Sequence, residues 1–395
     1  MGEFSDDWPL RKLGDPEVCI LRPSKREVAG LADSTEVSFV PMTRIDAASG
    51  RMDAALTRPL GEVKKGYTYF AEGDVVFAKI TPCMENGKAA IARGLKNGVG
   101  FGTTELHVMR PSSAVCAEWL HLHVRRTAFR EAARMSMNGA AGQQRVPMDF
   151  LMDADIPVPP LREQQRIVTR IAALSRRGAE ARRLAVEREE ELDRLIQAVY
   201  DRMVDGAERL PLKQAASLVR RPVAPKPDKK YEEMGIRSFG KGTFKKPSLT
   251  GRQIGRKRIY RIHEGDLVFN NVFAWEGAVA VAQAADHGRV GSHRFITYVP
   301  HEGKATSEFL CRHFLSAGGL EDIRAASPGS AGRNRTLGLK KLEEIRVPVP
   351  DYGEQVRFSE IVKRRRLVRQ ESAKVAEDLT AYEDALTARA FRGEL

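Results

Sequence analysis

Ile156-Pro157-Val158-Pro159, then Glu163-Gln164, then a run from Arg162 to Val204 with no proline and the single glycine Gly178: read together, these decide the fold. The proline-punctuated apolar quartet reads as a short strand and turn, and the long proline-free stretch as one helix that stops at Asp205-Gly206. The grammar returns near the C-terminus as Val347-Pro348-Val349-Pro350, Glu354-Gln355 and a second helix from about Glu354 to Arg392. At 1.5 Å per residue the first helix predicts a rod of roughly 65 Å.

Working outward, the whole chain repeats with a period near 190 residues. Gly73-Asp74-Val75-Val76-Phe77 returns as Gly265-Asp266-Leu267-Val268-Phe269, and Gly87-Lys88-Ala89-Ala90-Ile91-Ala92 has its counterpart in Gly277-Ala278-Val279-Ala280-Val281-Ala282. Gly102-Thr103 precedes a strand-like run as Gly291-Ser292 does, and Gly142-Gln143-Gln144-Arg145 parallels Gly332-Arg333-Asn334-Arg335. A period this long means two homologous units rather than a solenoid. Each begins with β-prone runs such as Asp74–Ala78 and Phe295–Val299, continues through a helix near Ala117–Ala133 or Thr306–Ala326, and ends in a long helix.

The second long helix carries a 3-4 stripe at Phe358, Ile361, Arg365, Val368, Ser372, Val375, Leu379, Tyr382 and Leu386; the first carries Ile167, Ile171, Leu174, Gly178, Ala181, Ala185, Arg188, Leu192, Leu195 and Val199. Two such stripes in one chain pack on each other most economically. The expected fold is mixed α/β, with two homologous domains at 1–155 and 207–347. Helical segments at 156–206 and 348–395 pair as an antiparallel coiled coil, giving a pseudo-twofold object.

The 395 residues carry a net charge of +13, and 42% are hydrophobic. These are globular proportions, and no apolar run is long enough to span a bilayer. The N-terminus is acidic without an apolar stretch, and Cys19, Cys83, Cys116 and Cys311 are widely spaced, so a cytoplasmic protein without a disulfide framework is expected. Fourteen of the basic residues and only three acids fall between Lys213 and Arg258, interleaved with glycines and aromatics. Such a window is either a solvated loop or a surface that neutralises phosphates.

At these residues the chain resembles a known family. Ile156 to Val168, the closing Ala390-Phe391-Arg392-Gly393-Glu394-Leu395, and Gly235-Ile236-Arg237-Ser238-Phe239-Gly240-Lys241-Gly242 are similar to the specificity subunit of type I restriction–modification systems. In the second copy the signature departs to Pro350-Asp351-Tyr352-Gly353-Glu354-Gln355. The resemblance implies a non-catalytic reader of double-stranded DNA, each domain recognising half of a split target, with methyltransferase subunits docked on the helices. S-adenosylmethionine would belong to those subunits, and ATP and Mg to a restriction/translocase subunit; none is expected on this chain, nor is a metal or a membrane. The same architecture in another phage-defence methylation system is the alternative.

Motifs for an engine are missing. There is no phosphate-binding loop of the G-x-x-x-x-G-K-[ST] form and no Asn-Pro-Pro-aromatic motif. A stand-alone nuclease would have to rely on Glu62-Val63-Lys64 with Asp53, or Glu302-Gly303-Lys304 with Asp266, patterns that chance supplies in so charged a chain. A structural coiled-coil adaptor is the third class.

Base reading needs Arg for guanine and Asn or Gln for adenine. The glycine-flanked loops supply Gln143, Gln144 and Arg145 in the first unit and Arg333, Asn334 and Arg335 in the second. Thr103, Thr104, Ser292, His293 and Arg294 form a second candidate group at strand starts. Arg237, Lys241, Lys245, Lys246, Arg252 and Arg256 are the expected phosphate contacts. Counting from Trp8 and from its match Leu210, the first unit is longer ahead of its Gly-Asp, which predicts two different half-sites and an asymmetric target.

Overall fold

The computed structural model describes residues 4–140, 142–329 and 335–395. Two compact units divide the chain: residues 1–183 with 374–395, and residues 184–373. Each therefore contains its own globular part, the start of one long helix and the end of the other. The helices are Leu161–Val204 and Tyr352–Phe391. Among the described residues no helix is long and apolar enough to cross a membrane.

The Gly-Asp-Val-Val-Phe segment shows why the first unit folds as it does. Gly73 takes φ +84°, which only glycine adopts freely, and turns the chain into the strand Val75–Ala78. All four strand residues are buried, because alternate side chains enter different cores. Val75 and Phe77 join Trp119, Leu120 and Phe129, while Val76 and Ala78 join Val40, Phe70 and Leu106. The strand sits inside a four-stranded antiparallel sheet ordered Cys19–Leu21, Leu106–Pro111, Val75–Ala78, Ala89–Ile91. A second sheet of four, Thr57–Pro59, Glu36–Val40, Val99–Gly102 and Thr68–Ala71, contains one parallel pair, Glu36–Val40 with Val99–Gly102.

The second unit repeats the first sheet strand for strand: Ala216–Val219, Phe295–Pro300, Leu267–Asn270, Val279–Val281. Leu267 and Phe269 enter one core and Val268 another, as in the first unit. The Asp of the motif is buried in both copies but meets an arginine from a different place. Asp74 takes a bidentate contact from Arg110 on the neighbouring strand (2.7 and 2.9 Å), whereas Asp266 takes one from Arg221, past the end of the edge strand (2.7 and 3.1 Å). Asp266 also accepts from His263 N–H at 2.8 Å, so it ties the edge strand to the turn before the motif.

The signature preceding each long helix is also structural. Ile156 lies in the strand Asp155–Pro157, paired with Leu10–Lys12, and Val347 in Arg346–Pro348, paired with Arg209–Pro211. The register sets Leu10 opposite Pro157 and Arg209 opposite Pro348, so Leu10 rather than Trp8 is the counterpart of Arg209, and Trp8 with Leu210 is not the matching pair. Gln164 and Gln355 are fully buried. Gln164 accepts from the Cys116 N–H and donates to the Ala114 and Pro159 carbonyls (2.8–2.9 Å). Gln355 accepts from the Thr306 N–H and donates to Lys304 and Pro350. In both units the amide clamps the base of the long helix to the residue that caps the next helix, Ala117–Arg125 or Ser307–Leu315. The single helix expected near Ala117–Ala133 is two, broken at Arg126 (ψ 140°), and its partner breaks at Ser316 (ψ 163°).

Within each unit the two long helices run antiparallel. In the first, Arg166 bonds the Leu395 carbonyl and Arg182 pairs with Glu383. In the second, Arg188 bonds Ser372 and Arg365 pairs with Asp193. The seam departs from the strict heptad. Ala181, Arg188, Leu195 and Val199 are exposed, and Arg182, Glu189, Ile196 and Tyr200 turn inward instead; Ile361, Val375 and Tyr382 likewise give way to Val362, Ala376 and Glu383. A helix of 3.6 residues per turn drifts about 20° per heptad, so the inward face advances by one residue.

Candidate nucleic-acid interface

In each unit the turn bearing one group of candidate readers is joined by main-chain hydrogen bonds to the residue that follows the other group, Val146 or Leu337. In the first unit Lys79, just past the strand Val75–Ala78, donates its N–H to the Glu105 carbonyl and accepts at its own carbonyl from Val146 N–H, both at 2.9 Å. That stitch lays the Thr103–Glu105 turn beside the Gln143–Arg145 loop. In the second unit Asn271 donates to the Arg294 carbonyl and accepts from Leu337 N–H, both at 2.8 Å. The backbone frame is the same and the side chains differ. It also sets Thr336, not Arg335, at the position of Arg145.

In the first unit the loop is firmly held. Gly142 takes φ +82°, Thr81 N–H donates to the Gln144 carbonyl, and Arg145 bridges to Asn138 in both directions. The Arg145 guanidinium forks onto Glu105 with two bonds of 2.9 Å and also donates to the Gln143 carbonyl. That fork keeps the Glu105 carboxyl below the usual range, burial opposing it. Thr103 closes its own turn by accepting from Glu105 N–H, while Thr104, Gln143 and Arg145 face solvent. Thr104 and Arg145 line a cavity of about 590 Å³ together with Arg22, Lys25 and Lys79. Burial holds the Lys79 amine below its ordinary range, Glu105 opposing and Arg22 and Arg145 assisting. At the cavity's base His107 binds the Val146 carbonyl and burial pushes it down to about 4. Arg22 adopts φ +58°, an uncommon conformation for a residue with a side chain.

Arg22, Lys25 and Lys79 are absent from the sequence-derived candidates. A signal existed for Arg22: an Arg-Pro pair follows the edge strand in both units, as Arg22-Pro23 and Arg221-Pro222.

In the second unit Arg294 is exposed and Ser292 accepts from its N–H at 3.4 Å, while His293 N–H bonds the Arg258 carbonyl. Arg335 lies over the Trp275 ring at 5.5 Å. Arg333 and Asn334 lie outside the described residues. Of the expected phosphate contacts, Lys246 sits over Phe295 beside Arg294, and Arg237 stacks over Phe244 at 4.8 Å. Lys245 is exposed on the strand Thr243–Lys245 and Lys241 lies near the Phe239 ring. Arg252, on the short helix Gly251–Ile254, pairs with Asp228 at 2.9 Å in full solvent, and Arg256 follows it exposed.

No family model matches the chain. Two curated proteins of Escherichia coli do. The EcoAI type I restriction enzyme specificity subunit is 43% identical over 173 residues, which is 44% of this chain and 28% of that protein. The EcoEI specificity subunit is 48% identical over 170 residues, 42% of this chain and 27% of its own length. The matches thus span under a third of either relative. Among solved structures, a chain from a study of complex assembly and conformational transition of the type I R-M system aligns with TM-score 0.67 and 20% identity over 100% of both chains. The HsdS subunit from Thermoanaerobacter tengcongensis aligns with TM-score 0.57 and 19% identity over 99% of this chain and 98% of that one. In fold along its length, and in sequence over some 170 residues, the chain is similar to the specificity subunits of type I restriction–modification systems.

Proposed function

We propose that this chain is the DNA-sequence-recognition subunit of a type I restriction–modification complex. Each unit reads one half of a bipartite target, and the long helices dock methyltransferase subunits. The observation that carries this reading is the repeated stitch at Lys79 and Asn271, one backbone frame presenting different polar side chains. Thr104, Arg145, Lys79 and Arg22 in one unit and Arg294 and Arg335 in the other offer different donor sets, and different donors select different base edges. The target is therefore asymmetric. Chemistry resides in the partners: S-adenosylmethionine with the methyltransferase, ATP and Mg with a restriction subunit.

The test is a genome-wide methylation map of cells expressing the neighbouring methyltransferase with and without this chain. Methyladenine at a two-part, asymmetric motif only in its presence is the expected result; methylation unchanged by its loss removes the reading. With purified protein, Arg335→Ala should relax one base preference, whereas Lys245→Ala should weaken binding to all sequences and flatten the salt slope by about 0.9. Equal losses on target and random DNA for Arg335→Ala would take it out of the readers.

A further inference from the structure

The second unit contains a cavity of about 700 Å³ that none of the candidate readers lines. Four arginines face it: Arg312, Arg324, Arg365 and Arg369, against two acids, Asp193 and Glu276. The acids are engaged, Asp193 with Arg365 at 2.5 Å and Glu276 with the Ser238 hydroxyl at 3.0 Å. Arg312 donates to Gln197. The Nε atoms of Arg312 and Arg365 are buried without a hydrogen-bond partner. Arg324 and Arg369 are exposed and form no ion pair among the described residues. Arg365 also lies 3.9 Å from the Glu189 carboxylate, so the anchored pair is partly neutralised. The exposed Arg324 and Arg369 are the uncompensated charges that an anion entering the cavity would meet.

The opposite wall is aromatic. The Phe239 side chain is 73% exposed, and its backbone adopts φ +62°, where a bulky residue is rare. This conformation is fixed rather than incidental. Phe239 N–H donates to the Glu276 carbonyl at 2.8 Å, Gly240 N–H to the Gly277 carbonyl at 2.9 Å, and Arg237 N–H to the Gly242 carbonyl at 2.9 Å. Gly277 itself takes φ +80°, a turn conformation that glycine adopts freely. A large apolar ring is thus held in water, in a strained geometry, by the bonds that close its hairpin and join it to the Glu276–Gly277 turn. Strain of this kind, over-determined by its surroundings, points to a binding role.

We propose that this cavity is a nucleotide-unit site: the arginines take a phosphate and Phe239 stacks on or wedges against the adjoining base. Guanidiniums with an exposed aromatic face are the groups that hold a phosphate beside a π-surface. The proposal rests on the DNA-reading function above and extends it to residues on the long helices, Arg365 and Arg369, and to a position outside the repeated stitch. A free nucleotide has the same chemistry, and the experiment separates the two sources.

Full-length protein is titrated with a labelled duplex carrying the mapped target and, separately, with dAMP. The variants are Arg324→Ala, Arg369→Ala and Phe239→Gly. Each arginine variant should weaken duplex binding several-fold at 0.15 M salt and lower the slope of log K against log salt by about 0.9. Phe239→Gly should weaken it about 10-fold or more with the slope unchanged. Because glycine suits φ +62°, that variant should melt no lower than the parent, which a merely structural phenylalanine would not permit. Saturable dAMP binding with the same variant pattern assigns the site to free nucleotides, and its absence beside impaired duplex binding assigns it to the DNA strand. Variants that bind both probes as the parent does overturn the site while leaving the reader function standing. A parent that binds no duplex but holds dAMP in this pattern does the reverse, and one that binds neither sinks both.

Discussion

The two units close their cores with the same device built from different residues. In the second, His313 Nδ1 meets the Tyr200 hydroxyl at 2.8 Å, Tyr200 arriving near the end of the first long helix. In the first, the equivalent pair is His123 and Phe391, the latter near the end of the second long helix. Phe391 stacks on Trp119 at 4.3 Å, and Arg126 lies over its ring at 4.5 Å. Neither nitrogen of His123 makes a hydrogen bond of good geometry, the Asp155 backbone supplying only a weak electrostatic contact. The closing Phe391-Arg392-Gly393-Glu394-Leu395 segment is thus first of all a core plug, tied by Ser5 N–H to the Phe391 carbonyl. A duplicated fold keeps position and burial; it does not keep polar satisfaction.

That difference extends to acid sensitivity, where the largest effect is expected. Burial pushes His107 and His121 down to about 4 in the first unit and holds His123 well below its ordinary value. In the second unit burial pushes one histidine, His313, down to about 4. Above pH 6.5 these groups are neutral folded or unfolded and cost nothing. Between 6.5 and about 4 the unfolded chain binds protons that the folded chain refuses, so stability falls, by up to roughly 3 kcal/mol for a buried imidazole held near 4 such as His107 or His313. The first unit should unfold at the higher pH. Tryptophan fluorescence followed through an acid titration checks this, since Trp8 and Trp119 report the first unit and Trp275 the second. Coincident transitions, or Trp275 moving first, would break the comparison.

Next in size is a test of sameness. Gln164→Ala and Gln355→Ala each strip partners from one half-buried N–H and two carbonyls, and should each cost about 2–3 kcal/mol in urea unfolding. A loss confined to one unit would show that the repeated Glu-Gln is a structural clamp in that copy only.

What was legible in the sequence followed from local rules. The repeat, the strands around Val76 and Ile296 and both long helices depend on runs of like residues and on the absence of proline, which neighbours alone determine. The breaks at Arg126 and Ser316 were not legible, since neither position is proline or glycine; Arg126 is held there by Phe4 and Phe391, remote in sequence. The seam phase is not legible from an apolar stripe because its inward positions include Arg182, Glu189 and Glu383, which are ion-paired. The polar loops were recognisable as glycine-flanked repeats, but their meeting at Lys79 and Asn271 is a tertiary hydrogen-bond pattern without a sequence period.

The smallest effect discriminates most sharply. Tyr200→Phe would give the second unit the chemistry of the first, leaving both nitrogens of His313 unpartnered, since its Nε2 already is. The cost should be about 1–2 kcal/mol, the penalty for one buried group left unmet. Phe391→Tyr is the converse. A hydroxyl added to a ring whose centroid is 5.6 Å from the His123 centroid supplies the missing partner, but in a core already packed against Trp119. Hydrogen bonding contributes about 1 kcal/mol and overpacking opposes it by a similar amount, so the melting temperature should change little. Combined, the two substitutions exchange the closures. If Tyr200→Phe proves neutral, His313 was never anchored by the hydroxyl, and the two units close by packing alone.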